Sequence, residues 1–313
     1  MQTVLPTRVG IIGAGLGGLT CAARLTAAGV PVVVIDKSGD IGGRLATRRR
    51  GDQRWNHGAP AVQARSPGMR ALVEQLRAQG TAAWLPGRHA AIGVPDMREL
   101  LRPLVPASTA FNAEVVRLQR GPVGWTTDLR DGRSLGLFDI LVCTAPAPQT
   151  RALLRASGVD FPDAFAQLTY QPCWALLLTL PAGSADLDAL AHGAVFGQVT
   201  RMPAVPGDAN TETWVLHARP DWSARHLEAD ADDVRAMLLA EVHVRPGTQV
   251  VPVTAHAHRW RYARAANPLR RACLWLPAAR IAIGGDGFAG GDAAGAVSSG
   301  EALADVVLAA VKR

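Results

Sequence analysis

Residues 10–25 read GIIGAGLGGLTCAARL. The apolar run Val9–Ile12 suits a strand buried on both faces. It falls into Gly13-x-Gly15-x-x-Gly18, and Leu19–Ala28 then reads as a helix ended by Gly29. Pro31 and Val32–Ile35 begin a second strand that closes on Asp36. Gly13 permits the tight turn, Gly15 lets a pyrophosphate approach the backbone, and Gly18 allows close helix–strand packing. Leu16, within the turn, is a further candidate contact, and the N-terminus of the helix offers free N–H groups and a dipole that favour phosphate. Asp36 stands where a carboxylate can accept both hydroxyls of an adenosine ribose, with Lys37 beside it. This strand–turn–helix–strand unit predicts a dinucleotide-binding α/β fold.

The 313-residue chain has length for a substantial core, and 48 % apolar residues argue against disorder. Its formal charge is +7, and of 33 basic residues only Lys37 and Lys312 are lysines. An arginine-borne excess fits phosphorylated small molecules, or simply an arginine-biased composition. Apart from Arg48, Arg49 and Arg50 the basic residues are scattered and not interleaved with aromatics, which argues against nucleic acid. Cys21, Cys143, Cys173 and Cys273 form no C-x-x-C or zinc-like pattern, so buried free thiols in a reducing compartment are expected, and no metal site. Residues 1–8 leave no room for a signal peptide, and no apolar run reaches membrane-spanning length, so a cytoplasmic protein without membrane contact is expected.

Two further elements point to the same ligand. Gly42-Gly43-Arg44 follows Asp36 closely and can bring a second stretch of backbone and a guanidinium to the dinucleotide. It resembles the R-x-G-G-R-x-x-S/T element of flavoproteins with two dinucleotide-binding motifs, with Asp40 in place of the first arginine. Near the far end, Ala279–Ile283 reads as a strand ending in Gly284-Gly285-Asp286, before Gly290, Gly291 and Gly295 and a helical pattern through Val306–Val311. Asp286 could bind the ribityl or pyrophosphate part of FAD. The N-terminus of the last helix, at Gly295 and Ala296, could face the flavin pyrimidine edge and stabilise charge there. FAD is therefore the expected cofactor, with Val115, Gly285, His57, Gly58 and Ala59 as further candidate contacts.

Between these ends the pattern predicts helices over Ala71–Gln79, Met97–Leu104 and Ala231–His243. Strands are expected over Thr109–Arg120, Trp125–Leu129, Ser134–Val142, Cys173–Leu180 and Thr213–Ala218. The expected architecture is α/β: a discontinuous, Rossmann-like FAD domain of residues 1–60, 93–156 and 264–313. Residues 61–92 and 157–263 are expected to form an α+β substrate domain with a mixed or antiparallel sheet.

An ordered series of blocks resembles the renalase-type flavoproteins of bacteria, within the flavin amine oxidase superfamily. Trp55-Asn56-His57-Gly58-Ala59 resembles a family F-D-H-G-A segment, and Gly93-Val94-Pro95-x-Met97 a G-V-P-G-M. Pro146-Ala147-Pro148-Gln149, Pro172-Cys173-Trp174-Ala175-Leu176, Trp214-Val215-Leu216-His217-Ala218 and His258-Arg259-Trp260-Arg261-Tyr262-Ala263 continue the series nearly end to end. The resemblance implies non-covalent FAD. It also implies oxidation of wrongly reduced isomers of NAD(P)H to NAD(P)+, with O2 as acceptor and H2O2 as product. The sequence departs from that pattern at Asn56, Pro60, Gly287-Phe288, Ala294 and Val297, all near the expected flavin pocket.

Hydride transfer from a dihydropyridine to flavin N5 needs no strong base, because the donor regains aromaticity; stacking, orientation and a dry pocket suffice. Flavin amine oxidases commonly use a lysine near N5 and an aromatic pair. Here the lysines lie elsewhere and Tyr170 and Tyr262 are the only tyrosines. His258, Arg261 and Tyr262 are the candidate catalytic residues, with His57. Alternation along a strand would set His258, Trp260 and Tyr262 on one face and Arg261 on the other. Amine oxidation, aromatic hydroxylation and a non-catalytic dinucleotide-binding role are the alternatives.

Overall fold

Val9–Ile12 lies inside a six-stranded sheet, where Val9 and Ile11 are wholly buried. The computed structural model describes residues 7–203, 210–243 and 251–312. The strand order is Leu274–Leu276, Ile281–Ile283, Ile140–Cys143, Val9–Ile12, Val32–Ile35, Thr109–Ala110. Neighbours run parallel, in registers such as Val9↔Ile140 and Val9↔Val32, except at the antiparallel Leu274–Leu276 edge. Near-continuous apolar strands are what a sheet buried on both faces requires. The architecture is the mixed α/β, Rossmann-like one expected from the first turn.

The first helix runs Leu16–Ala27, and Gly29 ends its turn at φ +77°. It packs against the last helix, Ala293–Val311, at a crossing of small residues. A Cβ on Gly300 would stand 2.5 Å from the Gly17 carbonyl oxygen and 2.8 Å from Thr20 Cβ. That last helix is, by length and composition, apolar enough to cross a membrane, which corrects the expectation that no such run exists. Its buried residues include Val297, Leu303 and Val307. The free thiols of Cys21 and Cys143 are buried as expected, but Cys173 and Cys273 are only half-buried. Burial pushes the Cys21, Cys143 and Cys173 thiols up to about 12.

Several expected elements divide. Thr109–Arg120 is two strands in two sheets: Thr109–Ala110 extends the parallel sheet, while Val115–Gly121 starts a meander with Gly124–Leu129 and Ser134–Phe138. Between them Asn112 takes φ +51°, and the amides of Asn112 and Ala113 donate back to the Ser38 and Asp36 carbonyls. Ser134–Val142 divides in the same way at Asp139, whose amide donates to the Arg8 carbonyl as the chain enters the parallel sheet. Met97–Leu104 is two 3-10 turns, Met97–Leu100 and Arg102–Leu104, because Pro103 has no N–H to continue a helix. Ala71–Gln79 starts earlier, at Pro67, where the Ser66 hydroxyl accepts the Met69 amide at 3.2 Å.

The chain divides into two compact units: Met1–Gly43, Ala61–Thr169 and Ala265–Arg313 form the first, Arg44–Pro60 and Tyr170–Arg264 the second. These limits differ from the expected domains. The segment 44–60 joins the second unit because the Trp55 indole donates to the Leu178 carbonyl at 3.0 Å and packs on Ala175, Leu177 and Val215. Residues 61–92 join the first because the Pro67–Ala78 helix and the Val62–Gln63 strand pack on the last helix. Phe165 likewise places 157–169 there, with its ring 5.7 Å from that of Phe288. Residues 1–6, part of the basis for expecting no leader, lie outside the described residues.

The second unit is a four-stranded sheet ordered Phe196–Arg201, Thr211–Ala218, Tyr170–Pro181, Thr254–Ala265. One face holds Trp174, Leu176, Leu178, Trp214 and Leu216 with the Ala231–His243 helix; the other receives the Arg48–Arg50/Gln53–Trp55 hairpin. Period-two alternation thus gives the sheet an apolar core on one side and a ring-rich face on the other.

Gly300→Ala tests the helix crossing. In an open helix the change stabilises by about 1 kcal/mol. Here the clash with Gly17 is expected to reverse the sign, with a net loss of roughly 1–3 kcal/mol in urea denaturation.

Candidate functional site

The first unit has an open turn at the start of its first helix. Gly13 has φ +116°, and a Cβ on Gly18 would fall 2.1 Å from the Gly13 carbonyl oxygen, so the strand–helix turn closes only without that side chain. Above Gly15 an added Cβ would meet nothing within 4 Å. Gly15 caps the first helix without any side-chain hydrogen bond, and no acid occupies the first turn. The start of this helix therefore offers unshielded amides and a positive dipole end to an anion. Gly43 lies against it: its Cβ would be 3.3 Å from Gly15 Cα, and Gly15 and Gly42 form a parallel bridge.

Asp36 is fixed at the end of its strand. One carboxylate oxygen accepts the Ala14 amide at 2.6 Å and the other the Ser38 amide at 2.7 Å. Its remaining lone pairs can still accept hydroxyls. Val115 lies two residues beyond Ala113, whose amide donates to the Asp36 carbonyl. Lys37 acts by its charge on Glu114, next to Val115. Asp40, standing where the flavoprotein element has arginine, pairs with the largely buried side chain of Arg98. Its negative charge is thus matched by a guanidinium from the Met97–Leu100 turn, a partner the sequence reading missed.

The third element departs from expectation. Gly285 and the buried Asp286 do sit at the end of the Ile281–Ile283 strand, with the Gly285 Cβ position 3.4 Å from the Thr144 carbonyl oxygen. The last helix, however, is capped by Asp292. Its carboxylate accepts the Gly295 amide at 2.8 Å, and its carbonyl accepts the Ala296 amide at 3.0 Å. Those two amides are engaged within the chain rather than free for a flavin ring, and a carboxylate stands beside them.

In the second unit, Gly58 and Ala59 serve chain packing. A Cβ on Gly58 would lie 2.0 Å from the Arg44 carbonyl oxygen, which accepts the Ala59 amide at 2.8 Å. The Arg44 guanidinium is 5.7 Å over the Tyr170 ring and donates to the Ala263 carbonyl at 3.4 Å.

His57 is the centre of a ring cluster. It stacks on Trp260 with centroids 5.0 Å apart and meets His258 edge-on at 4.5 Å. Its carbonyl accepts the Trp260 indole at 2.8 Å and lies 3.0 Å from His217 Nε2. Its own Nδ1 is buried and makes no hydrogen bond of normal geometry. Burial first, then the neighbouring His258, pushes the His57 imidazole down to about 3. Burial and the charge of Arg48 push His258 down to about 4. His256 and His217 are also lowered, chiefly by burial. Among the described residues no three such side chains are placed to share a metal ion.

Alternation along Thr254–Ala265 sorts the remaining candidates. Tyr262 lies on the ring side, 5.9 Å from Tyr170 and edge-on to it. Arg261 lies on the opposite face, where Glu228 accepts both its nitrogens at 2.5 and 2.8 Å. His217 and His256 were missed; the period-two step from His258 back to His256 was the available signal.

These features define a Rossmann-like α/β fold with a second unit bearing an aromatic and histidine-lined sheet. Residues 11–76 match the NAD(P)-binding Rossmann-like domain family. Protoporphyrinogen oxidase 2, chloroplastic/mitochondrial, of Arabidopsis thaliana is 30 % identical over 76 residues, 24 % of this chain and 15 % of that protein. The match thus spans well under a fifth of the relative's length. A double mutant of putrescine oxidase, from a redesign of its cofactor binding, superposes with TM-score 0.72 and 14 % identity over 97 % of this chain and 100 % of that one. A protein of Exiguobacterium sp. 255-15 assigned as a protoporphyrinogen oxidase gives 0.72 and 11 %, covering 96 % and 98 %. Wild-type putrescine oxidase bound to putrescine gives 0.70 and 15 %, covering 97 % and 99 %. The chain has the fold of these oxidases along nearly its whole length.

The buried histidines set an acid limit. Their folded values lie below the ordinary 6.5, so the unfolded chain binds more protons as pH falls from 6.5 towards 4 and then 3. Stability from keeping them neutral is full above 6.5 and lost through that window. Denaturation midpoints are expected to decline from about pH 6.5 downward, and His258→Gln to flatten the decline by roughly 1–3 kcal/mol.

Proposed function

We propose that the chain is an FAD-dependent oxidoreductase that oxidises a non-standard dihydronicotinamide dinucleotide, a 2- or 6-dihydroNAD(P), to NAD(P)+. The cofactor is held non-covalently and O2 is the acceptor, giving H2O2. The observation that supports this best is the cradle: an open position over Gly15, a helix start with neither cap nor acid, and Asp36 fixed by two amides. The donor set suits a diphosphate and a ribose, and Gly13, Gly15, Leu16, Gly18 and Asp36 would hold them. Bound there, the flavin would supply a two-electron acceptor.

The chain's own contribution to turnover is orientation and exclusion of water. His57 and His258 are neutral near pH 7 and placed among rings, which suits stacking of a planar base rather than proton abstraction. A dihydropyridine needs no base, in keeping with a chain whose two lysines are Lys37 and Lys312. The reading is also in keeping with a cytoplasmic protein acting on a small molecule.

Amine oxidation is the second reading. It is favoured by the Tyr170–Tyr262 pair and by the fold shared with a putrescine-bound oxidase. Against it, the charged side chains acting on His57, His258 and His256 include Arg48, Arg50 and Arg235, which disfavour a cationic diamine.

Gly15→Val and Asp36→Ala are expected to yield folded but colourless protein, read from the visible flavin spectrum. A fully yellow Gly15→Val protein would remove the cradle from the assignment. Anaerobic mixing with 2-, 6- and 4-dihydroNAD(P) and with simple amines separates the two substrates. Bleaching is expected with the 2- or 6-isomer, and bleaching by putrescine alone would transfer the assignment to amine oxidation.

A further inference from the structure

The basic run Arg48–Arg50 lends charge to the histidine row above, and no ligand contact has been assigned to it. It forms one strand of the hairpin, with pairing Arg48↔Trp55, Arg49↔Arg54 and Arg50↔Gln53. Cross-strand partners share a face, so Arg48 and Arg50 lie on the side of Trp55 and Gln53. That side meets the Thr254–Ala265 strand: Thr254 donates to Gln53 at 3.1 Å, and the Trp55 ring stands edge-on to His256 at 5.9 Å. The Arg50 guanidinium is 3.3 Å from His256 Nε2.

The charge here is unbalanced. Several arginines elsewhere in this unit find carboxylates: Arg201 pairs with Glu212, Arg225 with Asp221, Arg235 with Asp232 and Arg261 with Glu228. Among the described residues Arg48 and Arg50 have none; Arg50 faces His256, and Arg48 lies opposite Trp55 across the hairpin. The field of Arg48 reaches His57, His258 and His256, and that of Arg50 reaches His256. Two guanidinium forks on one strand face, with a histidine between them and the ring cluster, match the donors that recognise phosphate.

We propose that Arg48, Arg50 and His256 form a subsite for the phosphate or pyrophosphate group of a nucleotide whose planar base lies along the His258–Trp260 part of the same row. One two-residue step along a strand covers ~7 Å, the scale that separates base from phosphate within a nucleotide. Arg48 and Arg50 supply the charge-assisted hydrogen bonds, and His256, whose Nε2 accepts from Arg50, steadies that guanidinium on the strand face. The inference deepens the dinucleotide reading and rests on it for the identity of the ligand as substrate.

The test is binding rather than turnover. Calorimetry on the flavin-loaded protein compares ADP-ribose, inorganic pyrophosphate and adenosine in wild type, R48Q/R50Q, R48K/R50K and R225Q. ADP-ribose affinity is expected to fall at least tenfold in R48Q/R50Q, to be partly kept in R48K/R50K, and to be unchanged in R225Q. Adenosine binding should be equal in all four. Unchanged ADP-ribose binding in R48Q/R50Q, or an equal loss in R225Q, overturns the subsite. Pyrophosphate binding as tightly as ADP-ribose makes it a free-anion site and overturns the nucleotide assignment. Protein that holds no flavin overturns the oxidoreductase reading instead, while dependence of ADP-ribose binding on Arg48 and Arg50 still decides the subsite.

Discussion

The contact on which the first unit depends is between a carbonyl and a missing side chain. Gly18 lies so close to the Gly13 carbonyl that any Cβ would fall 2.1 Å from its oxygen. That closeness lets the chain leave the strand and enter the helix in one turn, which aims the first amides outward. A second absence, at Gly300 against Gly17, seats the last helix on the first. Chemistry read at residues 13–18 and at 284–296 is therefore one neighbourhood, joined by atoms the sequence omits. Steric exclusion, rather than attraction, sets this geometry.

The second unit uses a different rule. A single period-two strand gives one face of its sheet to an apolar core and the other to rings and histidines. Thr254, His256, His258, Trp260 and Tyr262 follow one another on the second face, while Arg259 and Arg261 turn to Leu227 and Glu228. Positive charge from the hairpin and burial act together to keep the imidazoles neutral. The face thus presents rings and neutral imidazoles beside arginines.

Much of the first unit was legible because its signals are local. The Val9–Ile12 strand, the glycine turn, Val32–Ile35 and Asp36 can each be read from a few adjacent residues. Thr109–Arg120 and Ser134–Val142 were harder, because an extended-chain pattern does not say which sheet a strand joins. Asn112 and Asp139 divide them only through hydrogen bonds to distant backbone. The Asp292 cap was missed for a related reason: an acid three residues before Gly295 can either precede a bare helix start or occupy it. Arg98 on Asp40 and His217 against His57 join residues 58 and 160 positions apart, beyond any local pattern.

The thiols have a consequence for durability. A protein proposed to release hydrogen peroxide works in the presence of its own oxidant. Peroxide attacks the thiolate form of cysteine, and Cys21, Cys143 and Cys173 are held protonated by burial far above neutral pH. Burial thereby holds these three sulfurs in the less reactive thiol form.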